Sequence, residues 1–179
     1  MRIISEPHTD AVTWQFNVTE TYAKGKTQYQ EFEIVEIPVF GKSLFLDGCI
    51  QSSLLDEHVY HEALVQPAMC CHPHPNKVLV TGGGEGATLR EVLKHGTVTQ
   101  VDMVDLDEEL IAATREFMPE WSAAAFEDAR ANLVHQDARQ WVENSKPGTY
   151  DVIVGDLPDP LEGGPALGLY TKEYFESVS

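Results

Sequence analysis

Basic residues are scarce in this chain: 12 Lys and Arg stand against 29 Asp and Glu, a formal net charge of −17 over 179 residues. Such a field repels nucleic acid and anionic membranes and attracts small cations. A surface acidic only for solubility is the other reading of the same numbers. Cysteine is sparse too. Cys49, Cys70 and Cys71 form no even framework, so reduced thiols in an intracellular, cytoplasmic setting are expected rather than a disulfide scaffold. Long apolar runs are missing, and nothing approaches the ~18 consecutive apolar residues of a membrane span. The opening MRIISEPHTD has no apolar core of the kind a secretory signal requires. Internal repeats, low-complexity tracts and linkers are absent as well.

What is present divides into two textures. Trp14–Thr19, Glu31–Ile37, Lys42–Leu46 and Cys49–Ser53 alternate apolar and polar residues, separated by Lys24-Gly25-Lys26, Pro38–Gly41 and Asp47-Gly48. Period two between turn residues predicts strands of a small antiparallel unit, and residues 1–57 are assigned to it. Residues 58–179 read differently. Glu57–Pro67 has helical spacing in Val59, Ala63 and Leu64. Strands at Lys77–Thr81, Val101–Asp105, Asn132–His135 and Tyr150–Gly155 then alternate with helices at Ala87–His95, Glu108–Met118 and Ala138–Asn144. Alternating βα units predict a parallel sheet covered by helices. Val152-Ile153-Val154 would make a poor exposed edge, so a further strand is expected beyond Ser179 and the sequence reads as a truncated or short form.

The first parallel strand runs into Gly82-Gly83-Gly84-Glu85-Gly86. Glycines at a strand-to-helix turn, Gly82 and Gly84 among them, let a ligand approach the backbone, as in nucleotide-binding α/β folds. A tight turn alone explains them equally well. The second strand ends at Asp105, 21 residues past Gly84, where such folds place the acid that binds ribose hydroxyls. Asp107 reads as the cap of the next helix. Glu85 departs from the dinucleotide pattern, because a carboxylate in the loop repels pyrophosphate and suits a cation. Asp137 can accept from an adenine amino group while the Ala138 N–H donates to the ring; Asp137 also reads as a helix cap. Glu85, Asp105, Asp137 and Asp156 thus fall at the carboxyl ends of four parallel strands, where ligands of open α/β sheets bind. The run VGDLPDP sets Asp156 and Asp159 beside prolines, with Lys146 and Lys172 the nearest basic residues along the chain.

These stretches, with Gln28-Tyr29-Gln30, LFLDGCIQSSLLDEHVYHEALV, HPNKVLVTGGGEGATLREVLKH, VDLDEE, QDAR and YDVIVGDLPDP, resemble the polyamine aminopropyltransferases. The resemblance runs from Trp14 to Phe175. It implies an α/β fold, a small N-terminal antiparallel β domain followed by a Rossmann-like, methyltransferase-type parallel sheet. It implies transfer of the aminopropyl group of decarboxylated S-adenosylmethionine to an amine, with no prosthetic group and no metal. By the same resemblance Gln30 and His61 would contact the donor, Glu85 its aminopropyl charge, Asp105 the ribose diol, and Asp137 with Ala138 the adenine. Asp156 would be the catalytic acid-base residue, and Tyr60 with Asp159 would hold the amine, spermidine or putrescine. Leu157-Pro158, where spermidine synthases typically have Ser-Ser, and the segment Leu161–Pro165 look most like thermospermine synthases. A homodimer or homotetramer is implied. A methyltransferase using ordinary S-adenosylmethionine and a non-catalytic truncated subunit are the alternatives.

The remaining signals have plainer readings. His72-Pro73-His74-Pro75 lacks partners at zinc-ligand spacing and reads as a connector. His95 suits a helix end. Cys70-Cys71 is expected to be buried under the first helix, and Trp121 with Ser122–Ala125 is expected in a surface loop or short helix.

Overall fold

A computed structural model of the chain describes residues 2–160, 164 and 166–178. Three sheets form. β1 (Arg2–Thr9) and β2 (Val12–Val18) make a hairpin. β3 (Glu20–Lys26), β4 (Glu31–Ile37), β5 (Gly41–Leu46) and β6 (Cys49–Ser53) follow as an antiparallel meander.

Helix α1 (Glu57–Cys71) leads into the third sheet, built from β7 (Lys77–Gly82), β8 (Gln100–Asp105), β9 (Ala131–His135) and β10 (Val152–Asp156). Its strands are parallel in the order β10-β7-β8-β9. The crossovers carry α2 (Ala87–Leu93), α3 (Glu108–Phe117), the short α4 (Pro119–Ser122) and α5 (Ala138–Asn144), and α6 (Lys172–Ser177) comes last. Strand order reverses between β7 and β8 on one side and β10 on the other, so their carboxyl ends open a crevice.

The meander is buried on both faces, because neighbouring side chains of a strand point opposite ways. Ile34 and Leu44 pack with Ala87, Leu110, Met118 and Trp121 of the α/β part. Val35, Ile37 and Phe45 pack instead with Phe16 and Val18 of β2. The two textures therefore share one apolar layer. The parallel sheet has its own core, with Val78, Val80, Val101 and Met103 facing α1 and α2 residues such as Val65, Met69 and Leu89.

Several expectations change. Lys24-Gly25-Lys26 is strand, not turn; the chain reverses at residues 27–30, where Thr27 N donates to Gln30 O at 2.9 Å. Gly25 is needed there because a Cβ would lie 2.6 Å from the Phe32 ring. β1 and β3 carried no readable apolar alternation, since both are mostly exposed. On α1 the buried face is Glu57, His61, Val65 and Met69, while Val59 is 61% exposed. Cys70 and Cys71 are exposed rather than buried, since they occupy the last turn of α1 away from that face. Trp121 is fully buried, not at the surface; its indole Nε1 donates to Ser52 Oγ at 2.7 Å, tying α4 to β6. Residues 161–163 and 165 of the segment likened to thermospermine synthases lie outside the described residues. β10 stands at an edge of its sheet among the described residues, and no helix there is long and apolar enough to cross a membrane.

Candidate active site

The crevice at the carboxyl ends of β7, β8, β9 and β10 holds a cavity of about 180 Å³. Gln30, Tyr60, Gly82, Gly84, Glu85, Asp105, Asp137, Ala138 and Asp156 all line it, so strands far apart in sequence bring nine of the expected residues to one place. His61 stands behind Glu85, and Asp159 is exposed outside the lining. The Tyr170 hydroxyl is held above its ordinary range by burial, then by Asp159 and Asp156.

Two glycines shape the floor. Gly82 has φ +79°, and a Cβ there would sit 2.1 Å from the Asp156 carbonyl oxygen. Gly83 N donates to that same oxygen at 3.0 Å. Glycine is required for both the left-handed backbone and the close approach of β7 to β10.

The acids are arranged unequally. Asp156 accepts from Thr88 Oγ1 at 2.6 Å and from Tyr60 OH at 3.3 Å. Burial, then the charge of Glu85, pushes its pKa up to about 6. Asp105 accepts from Asp107 N at 2.8 Å, and burial again raises its pKa to about 6. Glu85 faces His61 Nε2 at 3.2 Å, while His61 Nδ1 lies 2.9 Å from Glu57 Oε2. With a carboxylate at each ring nitrogen both must donate, so the ring is an imidazolium. Burial pulls its pKa down, but the Glu85 hydrogen bond and charge prevail, giving about 9. Tyr60 is held protonated by burial and by Asp156. Among the described residues, no Lys or Arg comes within ion-pair distance of Glu85, Asp105 or Asp156.

Asp137 caps α5, accepting from Gln140 N at 2.9 Å, and lines the cavity with Ala138, so capping and ligand contact are compatible at one residue. Asp107 caps α3 through Leu110 N at 3.0 Å. One group of three could hold a metal among the described residues: His61, Glu85 and Asp156, with ligand atoms within 4.8 Å of one another. The imidazolium proton of His61 opposes that use, since a ligating imidazole must be neutral.

Thr88, Glu57 and Arg90 escaped sequence reasoning. Arg90 donates from Nη1 and Nη2 to Glu57 at 3.1 and 3.0 Å and from Nη1 to Trp121 O at 2.6 Å. Glu57, four residues before His61 on the same helix face, was findable from spacing; the distant partners Thr88 and Arg90 carried no local signal.

Known proteins share this geometry. Residues 57–179 match the family model described as the spermine/spermidine synthase domain, and residues 3–53 match the spermidine synthase tetramerisation domain. The chain is 53% identical over 161 residues to "Polyamine aminopropyltransferase 2" of Hyperthermus butylicus, covering 90% of this chain and 52% of that protein. It is 48% identical over 162 residues to the "Polyamine aminopropyltransferase" of Aeropyrum pernix, with coverage of 90% and 52%. The chain spans about half the length of these curated relatives. A crystal structure of spermidine synthase in complex with the transition state analogue AdoDATO superposes with a TM-score of 0.94 at 34% identity, over 99% of this chain and 60% of that one. The spermidine synthase of Thermotoga maritima gives 0.91 at 33%, over 99% and 59%.

Proposed function

We infer aminopropyl transfer for this chain, which belongs to the spermine/spermidine synthase family. The co-substrate is decarboxylated S-adenosylmethionine and the acceptor a polyamine. One observation carries the reading: Glu85, Asp105 and Asp156 converge on one cavity where, among the described residues, no Lys or Arg pairs with them and His61 meets Glu85 alone. Such a pocket suits two cationic reactants and disfavours the extra carboxylate of ordinary S-adenosylmethionine, which argues against a methyltransferase.

The residues divide the work. Asp105 is suited to a ribose diol and Asp137 with Ala138 to adenine, since they line the cavity at the ends of β8 and β9. Glu85 is suited to the positive aminopropyl chain. Asp156 takes the proton of the attacking ammonium, because only the free amine has a lone pair. The amine nitrogen then bonds to the methylene beside sulfur, the carbon–sulfur bond breaks, and sulfur keeps the electron pair as neutral methylthioadenosine. A buried carboxylate with a pKa near 6 is unprotonated at neutral pH yet a better base than an exposed one. Holding both cations in line supplies the rest.

Tyr60 and Asp159 are assigned to the acceptor, Tyr60 through its bond to Asp156. Leu157-Pro158 supports spermidine as acceptor and thermospermine as product. An assembly of identical chains through residues 3–53 belongs to the same proposal. So does a cytoplasmic setting, in keeping with the free Cys49, Cys70 and Cys71. The test incubates the chain with decarboxylated S-adenosylmethionine and spermidine or putrescine, separating spermine from thermospermine. A transferred aminopropyl group supports the reading, and the tetraamine formed names the end attacked. Transfer of a methyl group from ordinary S-adenosylmethionine instead would overturn it.

A further inference from the structure

Gln30 reaches the cavity from the turn between β3 and β4, and its amide is not free to choose its orientation. Gln30 Nε2 donates to Asp107 Oδ2 at 2.9 Å. Thr27 Oγ1 donates to the same oxygen at 2.7 Å, while Asp107 Oδ1 accepts from Leu110 N. Both oxygens of a carboxylate only 2% exposed are thus engaged. A carboxylate accepts and cannot donate, so it can hold the amide only by its nitrogen. Thr27 stiffens the turn further, its hydroxyl accepting from Tyr29 N and Gln30 N at 3.1 and 3.2 Å. Gln30 Oε1 has no hydrogen-bond partner among the described residues. Asp107 also ties down Asp105, donating its own N–H to Asp105 Oδ1.

We propose that Asp107 is a positioning residue for the co-substrate: beyond capping α3, it fixes the Gln30 amide so that the carbonyl Oε1, an acceptor, is the end offered to the ligand. This rests on the reading that a nucleoside co-substrate fills the cavity. The group that Oε1 meets is a hydrogen-bond donor, either a ribose hydroxyl or the aminopropyl ammonium. Gln30 and Asp105 then present two acceptors organised by one residue, Gln30 through the Asp107 carboxylate and Asp105 through the Asp107 backbone N–H.

The prediction is a reversal of polarity. In Asp107→Asn, Oδ1 keeps the α3 cap while Nδ2 replaces the oxygen that held Gln30. The Gln30 amide must turn to accept from it, which leaves Nε2, a donor, facing the ligand's donor. In Gln30→Glu two carboxylates oppose each other. In the double variant Asp107→Asn with Gln30→Glu, the Asn donates to one Glu oxygen and the other faces the cavity as an acceptor again. Affinities for methylthioadenosine and decarboxylated S-adenosylmethionine are measured by calorimetry for all four proteins, with melting temperatures alongside. Each single variant is expected to bind about ten-fold or more weakly, the size of one lost and one mispaired hydrogen bond. The double variant is expected to recover most of that loss even where its melting temperature stays low, which a merely structural role would not produce. Loss with both nucleosides assigns Oε1 to the ribose; loss with decarboxylated S-adenosylmethionine alone assigns it to the ammonium. Unchanged binding in Asp107→Asn, or a double variant no better than the singles, overturns the proposal while leaving aminopropyl transfer intact. A wild-type chain that binds neither nucleoside overturns both.

Discussion

His61 and Glu85 form a buried ion pair, ring Nε2 to carboxylate Oε1 at 3.2 Å, at the acidic end of the cavity. The protein thereby supplies an internal cation for one acid of the cluster. Among the described residues, the Asp156 side chain accepts hydrogen bonds from the hydroxyls of Thr88 and Tyr60 and from no cation. That difference leaves Glu85 paired with a cation and Asp156 as the carboxylate poised to take up a proton.

Replacing Asp156 with Asn removes the proton acceptor and keeps the shape. Turnover is expected to fall by two orders of magnitude or more, the usual scale of general-base catalysis. Methylthioadenosine affinity should stay within about three-fold, because that product carries no ammonium. Steady-state kinetics and calorimetry check both halves, and undiminished turnover would take Asp156 out of the role.

Thr88→Val removes the short hydrogen bond that lowers the Asp156 pKa. The carboxylate must be ionised to accept a proton, so activity of the wild type should rise with pH through about 6. In the variant that rise should move to higher pH, with turnover lowered most below neutrality and least above pH 8. A full pH–rate profile decides it: a uniform loss at every pH would mean that Thr88 acts through packing alone.

Stability should also depend on pH, with a sign set by three groups. Asp105 and Asp156 are raised from 3.8 to about 6 in the folded protein, so the stability they contribute is complete below pH 4 and lost as pH rises through 6. His61 is raised from 6.5 to about 9; its contribution is complete below pH 6.5 and lost as pH rises through 9. Urea unfolding between pH 5 and 9.5 should therefore show two declines, the upper one absent in His61→Gln. A cationic ligand should flatten the lower decline by stabilising the ionised carboxylates.

Glu57 neutralises both Arg90 and His61. Glu57→Gln leaves Arg90 with Glu91 but strips His61 of one counter-charge. Unfolding free energy is expected to drop by about 3 kcal/mol, the usual cost of breaking a buried pair. The His61 titration midpoint, followed by NMR of the imidazole, should fall below about 9. A midpoint that does not move would show that Glu85 alone holds the ring charged.

Apart from β1 and β3, the strands and the main helices followed from the sequence, as did the carboxyl ends of the parallel strands to within a residue, because period-two and helical patterning and glycine punctuation are local. Glu31–Ile37, Cys49–Ser53 and Ala138–Asn144 have the same limits in both readings. The acids at strand ends were legible for the same reason: in a parallel sheet every carboxyl end lies on one edge, so position along the strand already places Glu85, Asp105, Asp137 and Asp156 together. What needed the tertiary structure is whatever depends on contacts between distant segments. The sequence shows Trp121 among polar and small residues, yet its indole closes the layer between β6 and α4. Val59 looked buried and is not, because the α1 face that meets α2 is set by His61, Val65 and Met69. The unequal charges of the acids were decided there too. Burial, the Thr88 hydroxyl and the His61 imidazolium act across 68 and 24 residues of chain, distances over which sequence pattern carries no information about dielectric or hydrogen bonding.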